Sequence, residues 1–407
     1  MGVSPEATNL RPIHNLVAGF HWTGRHDGIA AVSMAEISNS ASVMPPSADR
    51  ETPITPAPRR IMVKEVNWLG DVVMSLPALR AIRRTWPAAH LAILIKRELA
   101  GFFDGAEWLD EVIPYSVARR MSGLGDRLRI VGEIRKRNFD LAVLFPNSFE
   151  SALWTTLARV PRRAGYAADS RSAILTIRAR PTFLALQAHQ VNYWLELVRT
   201  TVGASGDADD FAIEAAPPHL EKMRAWLGSQ RKRPDARLVA LAPGAAFGPA
   251  KEWPANHYAR LIDLLAERYA AECVMVGAPG ERARCAEIAA ASRSGAIVAA
   301  GETNIGELLA LLKIADGFIG NDSGAMHAAA ALGRPTVGIF GSTNPVRTGP
   351  MGARARVIWR HIECSPCLAR TCRFGHYNCL IEIGPEEAAN VLAELGGVAL
   401  SNTLDHR

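Results

Sequence analysis

Short apolar runs alternating with longer amphipathic stretches recur in two series along the chain. The first opens with an apolar run at 61–66, which predicts a strand, then a loop at 67–71 and a helix to about residue 85. That helix carries Val72, Leu76, Leu79 and Ile82 on one face at helical spacing. Pro87 stops it, and 91–95 reads as the next buried strand. A basic amphipathic stretch at 127–137 and an apolar run at 141–145 continue the alternation. A polar stretch at 203–210, Pro217-Pro218, a helical stretch at 220–227 and Arg231-Lys232-Arg233-Pro234 then interrupt it, as an inter-domain connection would.

The second series places strands at 238–242, 273–276, 296–299, 317–319 and 336–340. Helices are expected between them at 255–269, 281–291, 305–313 and from Ser323 onward. Strands alternating with helices build a parallel sheet covered on both faces. The predicted fold is therefore α/β, two doubly wound Rossmann-like domains in tandem, with ligands expected in the cleft at the carboxyl ends of the strands. The expected boundaries are a disordered extension over 1–58, a first domain over 59–205, a linker over 206–236, a second domain over 237–397 and a tail over 398–407. The extension is assigned on the Ser, Thr, Ala and Pro content of 38–58.

The chain has 407 residues, enough for two domains that each bury a core. A hydrophobic fraction of 48% with 21% charged residues is that of a globular protein, and no run reaches the length of a spanning helix. The beginning of the chain lacks the pattern of a signal peptide, so a cytoplasmic location is expected. The net charge of +6 is carried mainly by arginine and would favour anionic partners such as phosphorylated sugars or lipid headgroups. Solvated basic faces explain the same charge. No recognised nucleic-acid module is present, so no nucleic-acid partner is expected.

Four positions on strand-to-helix junctions carry candidate chemistry. Gly70-Asp71 follows the opening strand of the first series. Asp71 is either an N-cap or a carboxylate aimed into the cleft to take a proton, with Gly70 allowing a substrate to approach. The loop at 243–254 holds Lys251 as its only cation, either a fixed counter-charge for a diphosphate or a surface lysine beside Trp253. Glu281 either accepts from ribose hydroxyls or begins a helix whose dipole favours it. At Asn321-Asp322-Ser323-Gly324, Asp322 or Ser323 can cap an Ala-rich helix, and Gly324 admits a close ligand. The free N–H groups there make an anion seat that His327, four residues after Ser323, can face. Neither domain carries a Gly-x-Gly-x-x-Gly after its first strand, which argues against a dinucleotide oxidoreductase.

Cys273 and Cys285 read as ordinary thiols. Cys364, Cys367, Cys372 and Cys379, with His361 and His376 nearby, are spaced closely enough for a structural metal or cluster, and equally for a stapled loop or free thiols. No catalytic metal is assigned to them.

Taken together, Trp68-Leu69-Gly70-Asp71 with Met74-Ser75, the loop from Pro243-Gly244-Ala245 through Lys251 and Trp253-Pro254, Gly301-Glu302-Thr303, and Asn321 to Gly324 with Met326-His327 resemble glycosyltransferase family 9. These are the bacterial lipopolysaccharide heptosyltransferases, and the pattern is similar to their heptosyltransferase II group. The resemblance spans about residues 60–395 and implies the GT-B fold, two Rossmann-like domains facing across a cleft. It implies an inverting, metal-independent enzyme with no cofactor, taking ADP-heptose as donor and the lipid-linked lipopolysaccharide core as acceptor. Such an enzyme would work at the cytoplasmic face of the inner membrane as a peripheral protein. By the same resemblance Asp71 is the general base, Lys251 holds the donor phosphate beside Asp322, Ser323 and Gly324, and Glu281 matches a ribose position. His327 would sit near the phosphates or hold the loop. Ala246 stands where the heptosyltransferase II pattern commonly has Glu, and Ala325 replaces a larger apolar residue. An epimerase of the same fold would need an acid/base pair of which only Asp71 is evident, and a non-catalytic binding protein would be expected to lack Asp71 or Lys251.

Overall fold

The computed structural model describes residues 32–33, 52–118 and 123–400. Most of the extension expected over 1–58 and the end of the expected tail lie outside them. In chain order the first half contains β1 (Val32–Ser33), β2 (Arg60–Lys64), α1 (Leu69–Thr85), β3 (His90–Lys96), β4 (Glu111–Tyr115), α2 (Leu124–Lys136), β5 (Leu141–Leu144) and α3 (Phe149–Leu157). It continues with β6 (Arg162–Tyr166), β7 (Ile177–Ala179), α4 (Phe183–Gln187) and α5 (Gln190–Val202). The second half opens with α6 (Pro217–Gln230), β8 (Leu238–Ala242), α7 (Ala255–Tyr269), β9 (Glu272–Met275), α8 (Arg282–Ala291), β10 (Ile297–Val298) and α9 (Ile305–Ile314). Then follow β11 (Gly317–Asn321), α10 (Gly324–Ala331), β12 (Thr336–Phe340), α11 (Pro345–Thr348), β13 (Ala355–Trp359), α12 (Asn378–Ile381) and α13 (Pro385–Glu394).

These strands form two sheets. One is six-stranded in the order β4-β3-β2-β5-β6-β7, and every pair in it is parallel. The other has the order β1-β13-β12-β11-β8-β9-β10, parallel except for the short β1, whose Val32 pairs with Val357. The central strands are apolar throughout because helices cover both faces; every residue of β8, β11 and β12 is buried. In each sheet the strand order reverses once, between β2 and β5 and between β8 and β11. The loops leaving those strands diverge to opposite faces and open a crevice at the carboxyl ends. Asp71 follows β2, Lys251 follows β8 and Asp322 follows β11, so the fold itself directs all three to the crevices.

Two segments outside the expected domains pack against them. Ile54, within the expected extension, is buried, and its N–H donates to the Val202 carbonyl at 3.2 Å. Low-complexity composition around it concealed one apolar anchor. In the expected linker, α6 buries Met223 and Leu227 against α9, and Lys222 pairs with Glu307 at 2.5 Å. A single hydrophobic cluster then runs from Ile61 and Val63 of the first sheet through Met223 to Leu309 and Phe340 of the second half.

Candidate active site

The helix carrying Asp71 begins earlier than its sequence suggests. α1 starts at Leu69 with Trp68 at the N-cap position and no side-chain cap, so Asp71 lies in the first turn and does not cap. Its carboxylate is favoured there by the helix dipole, and it is free to face the cleft. At the end of β2, the Glu65 carboxylate accepts from the Val66 N–H at 2.7 Å and from the Ser75 hydroxyl at 3.1 Å, tying the strand end to α1 one turn beyond Asp71. Burial pushes the Glu65 carboxyl up to about 7, and its second oxygen has no partner.

The loop after β8 is pinned by Asn321, which is fully buried. Its carbonyl oxygen accepts from the Trp253 N–H at 3.1 Å and the Tyr258 hydroxyl at 3.0 Å, and its amide donates to the Pro243 carbonyl at 2.7 Å. Lys251 ends a 3-10 turn in this loop. It is no surface lysine: its side chain is 13% exposed and its ammonium lies 2.5 Å from the Asp322 carboxylate. Asp322 also accepts from the Thr343 hydroxyl at 2.6 Å. With Asp322 so engaged, and Ser323 at the N-cap making no side-chain cap bond, α10 begins without a cap; the Ser323 hydroxyl is buried without a partner. An uncapped helix start beside a lysine is the arrangement that receives an anion.

α1 and α10 meet at their first turns through two glycines. A methyl group on Gly70 would lie 2.9 Å from the ring of His327, and one on Gly324 would lie 2.7 Å from Leu69. Gly70 therefore serves close helix contact, and it lines the cleft as well. His327 is buried and burial lowers its ring to about 4, so it is neutral near pH 7. Glu281 sits at the helix start, where one oxygen accepts from the Ala278 N–H at 2.7 Å, while the other lies over Gly244, filling the space of a Cβ.

A cleft of about 760 Å³ is lined by Gly70, Asp71, Lys251, Glu281, Asp322, Ser323, Gly324 and His327 together. Ala246 and Ala325, the two departures from the heptosyltransferase II pattern, line it as well. A second cavity of about 370 Å³ adjoins it, sharing Trp68 and Asp71; Asn67, Asn147, Gln190, Tyr193 and Arg347 are on its walls. Asp71 thus stands on the wall between two spaces. Burial raises its carboxyl from an ordinary 3.8 to about 6, opposed by the Lys251 ammonium and assisted by the Asp322 carboxylate.

Several lining residues escaped sequence reasoning. Arg370 comes from the cysteine segment and stacks on the Phe247 ring, 5.2 Å from its centroid, while Lys251 lies 4.9 Å from the same centroid. Arg347 reaches across from α11 to Gln190 of α5 at 3.3 Å. Both are far in sequence from the motifs they join, and neither sits at a strand-to-helix junction of the opening strands. The six cysteines are free thiols, and Cys364 lies 3.8 Å from His376 Nε2. Among the described residues no group of three or more His, Cys, Asp or Glu side chains is placed to hold a metal ion.

Comparison with known proteins bears on the family and the fold. Residues 127–378 match glycosyltransferase family 9 (heptosyltransferase). The lipopolysaccharide heptosyltransferase 2 of Salmonella typhimurium is 29% identical over 359 residues, covering 83% of this chain and 99% of that protein. The lipooligosaccharide heptosyltransferase 2 of Haemophilus ducreyi is likewise 29% identical, over 355 residues and 99% of its length. The structure of Escherichia coli ADP-heptose lipopolysaccharide heptosyltransferase II superposes with a TM-score of 0.69 at 26% identity, covering 83% of this chain and 98% of that one. The fold thus expected, two Rossmann-like halves facing across a cleft, is the fold found. This chain belongs to glycosyltransferase family 9 and is a glycosyltransferase.

Proposed function

We propose that the enzyme transfers heptose from ADP-heptose to the inner core of lipopolysaccharide, by a single displacement that inverts the anomeric centre. The observation that carries this reading is the position of Asp71 on the wall shared by the two cavities. A carboxylate between a donor and an acceptor, with its pKa near 6, is suited to act as a base at neutral pH. The acceptor hydroxyl occupies the smaller cavity. Asp71 takes its proton as the oxygen bonds to the anomeric carbon of the sugar. The bond from that carbon to the diphosphate breaks, and its electron pair leaves with ADP.

The larger cleft holds the donor. Lys251 and the uncapped start of α10 meet the charge that grows on the diphosphate, with Arg370 as a second cation. Glu281 accepts from the ribose hydroxyls, and the apolar wall of Val276, Ile305 and Leu308 receives the purine. His327, being neutral, keeps α10 against Gly70 and adds no charge of its own. The relatives named for lipopolysaccharide, and the ADP-heptose in the name of the E. coli structure, support the substrates. No helix among the described residues is long and apolar enough to cross a membrane. A lipid-linked acceptor, as the names of the relatives imply, places the proposed reaction at a membrane surface, where the enzyme acts as a peripheral protein on the cytoplasmic face of the inner membrane.

Thermal denaturation with ADP, UDP, GDP or NAD tests the donor assignment, since a ligand that binds the folded state raises stability by mass action. ADP is expected to raise the melting temperature. Stabilisation by UDP and not by ADP would overturn it.

A further inference from the structure

The first half of the molecule exposes large apolar side chains at one end of its sheet. Phe183, Leu184 and Leu186 all face solvent from the single turn α4, Phe183 at 73% exposure, while only Ala185 of that turn is buried. Adjacent exposed apolar groups of this size mark an interaction surface more often than a solvated one. Immediately before them, Arg178 and Arg180 line a cavity of about 440 Å³ together with Ser172. Arg178 donates to the Ser172 carbonyl at 3.2 Å, and neither guanidinium pairs with a carboxylate among the described residues. The six strands are all parallel, so the segments leaving β4, β5 and β7 emerge at the same end as Asp71. There Leu124 and Leu128, one turn apart on the basic helix α2, are exposed at 63% and 59%. Arg127 of the same turn pairs with Glu150 at the start of α3, at 2.5 Å, which fixes α2 to this rim.

The rim also adjoins the smaller cavity. Gln190, which lines it, follows Leu186 by four residues, a span of at most about 14 Å of chain. We propose that this rim docks on an anionic phospholipid surface, with the apolar side chains of α4 and α2 entering the headgroup boundary and Arg178 and Arg180 on lipid phosphates. This rests on the reading of a lipid-linked acceptor and adds where the lipid surface lies: next to the acceptor cavity, with Asp71 facing it. The combination is chemically specific. Apolar side chains flanked by arginines that lack carboxylate partners among the described residues match an interface that offers acyl chains and phosphates together, and the net charge of +6 adds long-range attraction.

Co-sedimentation of the full chain with vesicles of phosphatidylglycerol and phosphatidylethanolamine, and with vesicles of phosphatidylcholine, tests the proposal. The wild type should partition at least tenfold more strongly to the anionic vesicles. Phe183→Glu with Leu186→Glu should lower that partitioning tenfold or more. Arg178→Gln with Arg180→Gln should lower it similarly, since each basic residue near an anionic surface is worth about fivefold. Leu400→Glu, at an exposed apolar residue distant in sequence from the rim, should change nothing. Melting temperature and ADP binding, measured on the same samples, should be equal throughout, showing that each variant is folded with its nucleotide cleft intact. Wild-type partitioning by the rim variants, equal binding to both vesicles, or a dimer that the variants abolish in place of vesicle binding would overturn the proposal. Failure of ADP to bind would instead strike the donor assignment and leave the vesicle result standing.

Discussion

At the scale of single residues, Asp71 trades stability for reactivity. Its carboxyl rises from 3.8 to about 6 on folding, chiefly through burial, so the folded state favours the protonated form. That contribution is fully present below about pH 4 and is lost as the pH rises through 6. Asp71→Asn is therefore expected to raise stability above pH 6, by up to about 3 kcal/mol from the size of the displacement, and to leave it nearly unchanged near pH 4. Urea titrations at the two pH values check this; equal effects at both would remove the burial argument. In the wild type, kcat/KM should fall with unit slope below about pH 6 as Asp71 takes up a proton. Lys251 affects the same group, because its ammonium opposes the rise. Lys251→Met should lower kcat and donor affinity, move the acid limb of the residual activity to higher pH, and cost about 3–5 kcal/mol by leaving Asp322 buried without its cation. An unmoved acid limb would show that Lys251 and Asp71 do not act on one another.

At the scale of elements, the site depends on how closely two helix starts approach. Alanine is a better helix former than glycine by about 1 kcal/mol, so Gly70→Ala or Gly324→Ala would be stabilising on propensity alone. The methyl group would meet His327 in one case and Leu69 in the other, at distances real side chains do not adopt. Each substitution should lower stability by about 1–3 kcal/mol, measured by chemical denaturation, and lower transfer as the two helix starts separate. A neutral or stabilising result would refute close contact between α1 and α10. Much of this region was legible in the sequence, for a physical reason. Asp71, Lys251, Glu281 and Asp322 sit where strands of a parallel sheet turn into helices or loops, and the alternation of apolar runs marks those junctions. What the sequence could not convey was contact between distant segments. Nothing near Gly70 shows that its missing side chain makes room for His327. Nothing in the cysteine segment shows that Arg370 shares the Phe247 ring with Lys251. Asn321 read as one member of a motif, yet its bonds to Trp253, Tyr258 and Pro243 hold the Lys251 loop in place. Such partners are set by folding, across separations that periodicity does not report.

At the scale of the whole molecule, one hydrophobic cluster joins both sheets through α1, α6, α9 and α10. Two halves sharing a core should unfold together, so calorimetry is expected to show a single cooperative transition, raised as one by ADP. Two separable transitions would contradict a shared core. The same continuity brings the donor cleft and the smaller cavity to one carboxylate, and the central claim is that this carboxylate transfers the proton in heptosyl transfer. The most direct test incubates purified wild-type enzyme and Asp71→Asn with ADP-heptose and lipopolysaccharide truncated at the inner core, and follows the mass of the acceptor. The wild type should add one heptose and release ADP, while Asp71→Asn should bind ADP with unchanged affinity and transfer at least about a hundredfold more slowly. Transfer by Asp71→Asn at the wild-type rate would contradict the account.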